Sequence, residues 1–285
     1  DTDTDTDTDT DTDTDTDTDT DTDTDTDTDG DVDTDTEIPI VEPAGSLSGS
    51  GSTCDQYGKI TLSRGGLNLL ILNNAWGGAA QCIRANQSPD YTVFTVYDQN
   101  GWSNTGTPVS YPSIVYGAKY NDNVSSGAEL PKQVSAISSI PTVWETNAGT
   151  PAGKYNASYD VWFNWSSSAS CSGCGDPSGA YLMVWTYRGA GTYPIGTELS
   201  DVLYTGGSYW HVWSGDDGPS GAPYIAYVRI GNTTRSAFDL KFFINDAVSR
   251  GVVNNSMYLM NVQAGFEIWQ DGEGLRTDDF WLDII

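Results

Sequence analysis

Aspartate fills every odd position from Asp1 to Asp35 and threonine almost every even one, with Gly30 and Val32 the breaks. Such an alternation offers no core, because nothing apolar offsets the chain entropy and the eighteen carboxylates repel one another. Whatever packs must lie downstream. Drawn out at about 3.3 Å per residue, the repeat sets its carboxylates along one side and its hydroxyls along the other, like groups roughly 7 Å apart. Sugars on threonine, cations on aspartate or neighbouring chains are the agents that could order it. Dense O-glycans would stiffen the backbone as a sheath, whereas cations bind weakly to ligands that are not preorganised. O-glycosylation is therefore expected at Thr2, Thr4, Thr6, Thr8, Thr10, Thr12, Thr14, Thr16, Thr18, Thr20, Thr22, Thr24, Thr26, Thr28, Thr34 and Thr36. The tract is expected to run as an extended strand in a self-assembled filament, its 36 residues reaching about 120 Å. Its register at Asp1 implies a longer repeat.

Charge follows the same division. With Glu37 and Glu42, and no Lys or Arg before residue 54, the first 53 residues carry −20 of the net −28. The remainder has 20 acids against 12 bases, or −8. With no basic cluster, nucleic acid and anionic membrane surfaces drop out as partners, since phosphate binding needs Lys and Arg to displace counterions. No apolar run approaches the roughly 20 residues of a membrane span and no signal peptide leads the chain, which reads as a mature soluble product. Residues 37–53, EIPIVEPAGSLSGSGST, pass from Pro-spaced apolar residues to a Gly/Ser tether and mark a linker. The 232 residues from 54 to 285 hold all four cysteines, ten tryptophans and sixteen tyrosines, and suit one all-β domain. Four cysteines, with three pairings open, indicate disulfides formed outside the cell. Six sequons, at Asn86, Asn123, Asn156, Asn164, Asn232 and Asn254, fit a secreted glycoprotein, Asn86 being the weakest because Pro89 follows it.

Within 54–285 the runs 91–98, 158–165, 180–187, 208–213, 224–230 and 258–269 are rich in β-branched and aromatic residues and bounded by Gly, Asn, Ser and Pro. One segment has helical spacing, from about Ala237 to Arg250. Ser236 is read as its N-cap, Asp239 as completing a capping box, and Gly251 as its stop. Many strands and one helix predict a two-sheet antiparallel β-sandwich with the helix packed on it. Period-two alternation puts Ala180, Leu182 and Val184 on one face and Tyr181, Met183, Trp185 and Tyr187 on the other. Likewise Met260, Val262, Ala264, Phe266 and Ile268 oppose Gln263, Glu267 and Trp269, and Asp160 shares a side with Trp162. Aromatic and polar groups thus gather on one sheet face, the composition of a sugar cleft, where rings stack on pyranoses and carboxyls or amides take hydroxyls.

Beyond these patterns, CDQYG (54–58), LNNAWGGAAQC (72–82), SYPSIVYG (110–117), SAISSIPTVW (135–144), SYDVWF (158–163), LMVWT (182–186), YPIG (193–196) and QAGFEIW (263–269) occur in the order of glycoside hydrolase family 12. Residues 54–285 resemble that family of jelly-roll endoglucanases and xyloglucanases; the leader lies outside it. The resemblance implies a glucan cleft on a concave face, a Cys54–Cys82 disulfide, and sugar contacts from Asn74, Trp76, Met183, Trp185, Pro194 and Gln263. Cys171 and Cys174 lie outside the usual pattern and are read as a local loop disulfide, since one histidine in the chain cannot complete a zinc site. No metal or cofactor is expected, apart from cations on the aspartate row. The resemblance also implies an acid/base at Glu267, a nucleophilic glutamate directly before the LMVW run, and a supporting carboxylate at Asp160. Tyr181 occupies the nucleophile's place. A retaining glycosidase needs two carboxyls about 5.5 Å apart, and a phenol of pKa near 10 is a poor substitute. Three readings follow: a non-catalytic subunit of an extracellular glycan-coated filament, an active endo-β-1,4-glucanase in which Asp160 or Tyr181 takes a substitute role, and a soluble lectin-like module.

Overall fold

The computed structural model describes residues 47–77, 80–99, 106–119, 123–125, 127–168, 179–215, 218 and 221–285. The Asp-Thr repeat with its expected O-glycans and cations, residues 37–46, and Cys171 and Cys174 lie outside the described residues. All described residues belong to the unit Glu37–Ile285.

Two sheets enclose the core. The smaller has the order Gly51–Thr53, Cys82–Ala85, Phe94–Tyr97, Arg276–Leu282, Pro141–Thr146, Arg235–Asp239. The larger runs Thr197–Thr205, Ser208–Gly215, Tyr224–Arg229, Ala180–Arg188, Gly153–Asn164, Tyr258–Gly265, Ser113–Lys119, Leu67–Leu72, Lys59–Arg64, with three short strands paired beside it. Inward side chains from both, among them Ile83, Phe94, Trp144, Val161, Leu182, Val262 and Phe266, form one apolar cluster. Phe94 meets Phe266 edge-on across it, ring centroids 6.0 Å apart.

The sandwich and its faces are as expected, with local departures that have physical causes. One pair is parallel: Tyr224–Arg229 lies beside Ala180–Arg188 because the hairpin formed by Thr197–Thr205 and Ser208–Gly215 supplies the crossover a parallel pair needs. The register slips between Ala157/Ser158, leaving Thr186 as an extra residue, so Tyr187 turns to the core and stacks on Tyr155 at 5.6 Å instead of joining Trp185. A second slip leaves Met260 as the extra residue and gives its inward place to Leu259. The run 258–269 is two strands, Tyr258–Gly265 and Ile268–Asp271, broken at Phe266 and Glu267.

The one α-helix among the described residues, Leu240–Ser249, starts later than its sequence suggests. Asp239 is the N-cap, its carboxylate accepting from the Lys241 and Ile140 amides, while Ser236 belongs to the strand Arg235–Asp239. Pairing with Pro141–Thr146 claims those five residues before helical hydrogen bonds can. Phe243 then packs against Trp210, Tyr227 and Phe238, and Gly251, at φ 78°, ends the helix.

At the other end, Gly51–Thr53, read as tether, is the edge strand of the smaller sheet, tied to Cys82–Ala85 and flanked by the Cys54–Cys82 disulfide. The sequons separate by exposure. Asn232 and Asn254 are exposed, and Ser256 Oγ donates to Asn254 Oδ1 at 2.7 Å. Asn86 and Asn164 are half-buried, and the side chain of Asn123 lies outside the described residues. Asn156 contradicts the expectation, being fully buried with its amide engaged by Glu267. Peptide mapping should find Asn156 unmodified; a glycan there would require a different local fold.

Candidate functional site

A cleft of about 450 Å³ opens on the outer face of the larger sheet. Period two builds its floor: Trp162, Tyr181, Met183, Trp185, Tyr224 and Trp269 all project away from the core and form a second buried cluster. Tyr181 stacks on Trp162 at 4.1 Å, and Trp185 meets Trp269 edge-on at 6.3 Å. The walls are wetter: Tyr57, Trp76, Tyr193 and Ile195 are exposed, and Asn74 and Pro194 lie beside them. Trp76 is held in place by its indole N–H, which donates to Pro108 O at 3.1 Å. Asn74 takes φ 43°, a left-handed conformation that asparagine tolerates, and its carbonyl accepts from the Tyr111 amide.

Three groups at the cleft centre come from three strands or strand ends. Asp160, on Gly153–Asn164, accepts from Tyr181 Oη at 2.7 Å and lies 3.4 Å from Ser158 Oγ. Glu267 sits in the break between Gly265 and Ile268, where a side chain is freed from sheet alternation. Asn156 fixes it from both sides. Its Nδ2 donates to Glu267 Oε2 at 2.5 Å, and its Oδ1 accepts from the Glu267 amide at 3.0 Å. Asn156 is thus the positioning residue for the acid; the sequence carried no signal for this role, because its sequon pointed elsewhere.

Burial dominates the electrostatics. It raises Asp160 to about 7 against the hydrogen bond from Tyr181 and the charge of Lys119, and it raises Glu267 to about 8, helped by Asp160. Tyr181 is pushed well above 10 by burial, then by the fields of Asp160 and Glu267. Because both acids are raised, the fold holds their protons more tightly than the unfolded chain. That contribution to stability is complete below about pH 4 and is lost as pH rises through about 7 and 8. The denaturation midpoint is expected to fall from about pH 5 to about pH 9, with a shallower fall in Glu267→Gln. A midpoint that stays level across this range would show both carboxyls ionised in the fold.

Of the expected sugar contacts, Asn74, Trp76, Met183, Trp185 and Pro194 line the cleft. Gln263 does not. It is buried on the same sheet face, accepting from Lys119 Nζ at 3.0 Å and donating to Asn261 at 2.9 Å. Trp185 is 1% exposed and acts as floor, while Trp76, 42% exposed, is a ring that a sugar can reach. Tyr57, Tyr111, Lys119, Tyr193 and Tyr224 were not singled out by sequence; their positions in the cleft depend on loops and on neighbouring strands. No cluster of three or more metal-ligating side chains is present among the described residues.

The arrangement holds two carboxyls, Asp160 and Glu267, and the Tyr181 phenol above an aromatic floor. Comparison with known proteins places this cleft in a lineage. The glycosyl hydrolase family 12 model matches residues 67–284. The xyloglucan-specific endo-β-1,4-glucanase A of Emericella nidulans is 28% identical over 233 residues, covering 79% of this chain and 87% of that protein. The probable cellulase Cel12b of Mycobacterium tuberculosis is 30% identical over 154 residues, covering 54% and 96%. Among solved structures, the endoglucanase Cel12A from Rhodothermus marinus superposes with a TM-score of 0.72 at 32% identity, covering 82% of this chain and 99% of that one. With the sandwich, the cleft and a family match over most of its length, the chain belongs to glycosyl hydrolase family 12.

Proposed function

We propose that the domain binds a β-glucan or related chain in its cleft without hydrolysing it, as the folded part of an extracellular, glycan-coated filament subunit. The observation that carries the first half is Tyr181. Its hydroxyl proton is committed to Asp160, and its pKa is driven upward, so at neutral pH the side chain at the nucleophile's place is not an anion. The aromatic floor and exposed Trp76 remain suited to stacking a sugar. The Asp-Thr repeat, with its alternate hydroxyls and lack of apolar surface, supports the second half. The competing reading, an active endo-β-1,4-glucanase, draws support from Glu267 and would require Asp160 or a Tyr181 phenolate to take the nucleophile's role.

Titration of tryptophan fluorescence with cello-oligosaccharides tests binding. Stacking contributes on the order of 1 kcal/mol per ring, so Trp76→Ala is expected to weaken binding about five-fold. No response at millimolar sugar would reduce the cleft to a relic. Reducing-sugar release by the wild type that vanishes in Glu267→Gln would establish the enzyme instead. Electron microscopy and residue-level mass spectrometry of the natural protein test the filament; monodisperse particles with bare threonines would defeat it.

A further inference from the structure

We propose that the cleft prefers an acidic glycan, a chain bearing uronate carboxylates, and that Lys119 is the residue that reads this charge. The inference rests on the reading of the cleft as a sugar-binding site and names its ligand class. Lys119 closes the strand Ser113–Lys119, all seven residues of which are buried, and it is 5% exposed yet lines the cleft. Burying an ammonium is costly unless polar partners hold it. Here one of its hydrogens goes to a neutral acceptor, Gln263 Oε1, at 3.0 Å. Gln263 is itself pinned, by its bond to Asn261 and a 3.4 Å contact from Ser113 Oγ. The ammonium is therefore held at the cleft floor by a prepared support.

Among the described lining residues, the side chains that carry charge are Lys119, Asp160 and Glu267. A cleft with two ionised carboxylates at its centre repels a carboxylated sugar. Tyr181 removes one such charge and its hydroxyl donates to Asp160, whose buried carboxylate also feels Lys119. Burial favours the neutral form of both acids, so at mildly acidic pH they oppose the ammonium less. A lysine serving merely to neutralise Asp160 would leave neutral and acidic sugars equally bound, and this is the distinction to be measured.

The experiment titrates the full chain calorimetrically near pH 6 with two probes of equal length, a neutral cello-oligosaccharide and its C6-oxidised uronate counterpart. The uronate is expected to bind about ten-fold more tightly at low salt, with the ratio shrinking as salt is added. Lys119→Gln should abolish the preference, and Lys119→Arg should keep it. Equal affinities, or a neutral preference, would overturn the proposal and leave the sugar-binding reading standing. A preference that survives in Lys119→Gln would overturn the assignment to Lys119. Failure of both probes to bind would overturn the sugar-binding reading itself. Should both variants misfold, the salt dependence of the wild-type ratio still decides, because a preference indifferent to salt is not electrostatic.

Discussion

Tyr181→Glu is expected to make the cleft hydrolytic. The wild type should release no reducing ends from cellulose, xyloglucan or mixed-linkage glucan above background, and the variant should exceed it on the order of 10³-fold. The reason is that the remaining machinery is in place. Glu267 is anchored by Asn156 through two side-chain bonds, and Asp160 lies within hydrogen-bond distance of the side chain at position 181. A glutamate there would form a glycosyl ester while Glu267 protonates the leaving oxygen, and the product should keep its anomeric configuration. Tyr181→Gln, of similar size but without a carboxylate, should gain nothing, and Tyr181→Glu combined with Glu267→Gln should lose the gain. Loss of the 4.1 Å stack on Trp162 will cost stability, so folding is to be checked by circular dichroism alongside turnover. A folded Tyr181→Glu with no turnover would mean that the cleft has drifted beyond the substitution of one residue.

Trp144→Ala is expected to cost about 4 kcal/mol of folding stability, against less than about 0.5 kcal/mol for Trp76→Ala. Trp144 is 1% exposed, meets Tyr159 at 5.2 Å and Phe266 at 5.8 Å, and donates its indole N–H to Thr277 Oγ1 at 3.1 Å. Truncation opens a cavity between the sheets and leaves the buried Thr277 hydroxyl short of a partner. Urea unfolding monitored at equilibrium would show the loss as a lower midpoint with an unchanged slope. A midpoint shift as small as that of Trp76→Ala would mean that the inter-sheet core tolerates the void by collapsing. The same comparison separates rings that hold the fold from rings that meet sugar, a distinction invisible in the sequence, where Trp76, Trp144 and Trp185 all lie in family motifs.

Period two was enough to sort the two faces of Ala180–Arg188 as far as Trp185, and of Tyr258–Gly265 beyond Met260. It failed at Tyr187 and Met260 because a slip in pairing reverses the alternation, and a slip belongs to two strands at once. The helix start was misplaced for a related reason. Asp239 is a sound cap in either reading, but strand pairing with Pro141–Thr146 decides which residues it caps.

Local chemistry along the chain determined that the Asp-Thr leader has no core to join, that the rest is a sandwich with an aromatic face, and that a phenol stands where the resemblance implies a nucleophile. These follow from composition, alternation and motif order, which are properties of consecutive residues. Only the tertiary structure decided that Asn156 holds Glu267 instead of a glycan, that Gln263 is buried and accepts from Lys119, and that the Tyr181 hydroxyl is bonded to Asp160. Each joins residues 21 to 144 positions apart, brought together by sheet order. Their pKa values shift because packing withdraws water from them, and burial of that kind is set by the whole fold.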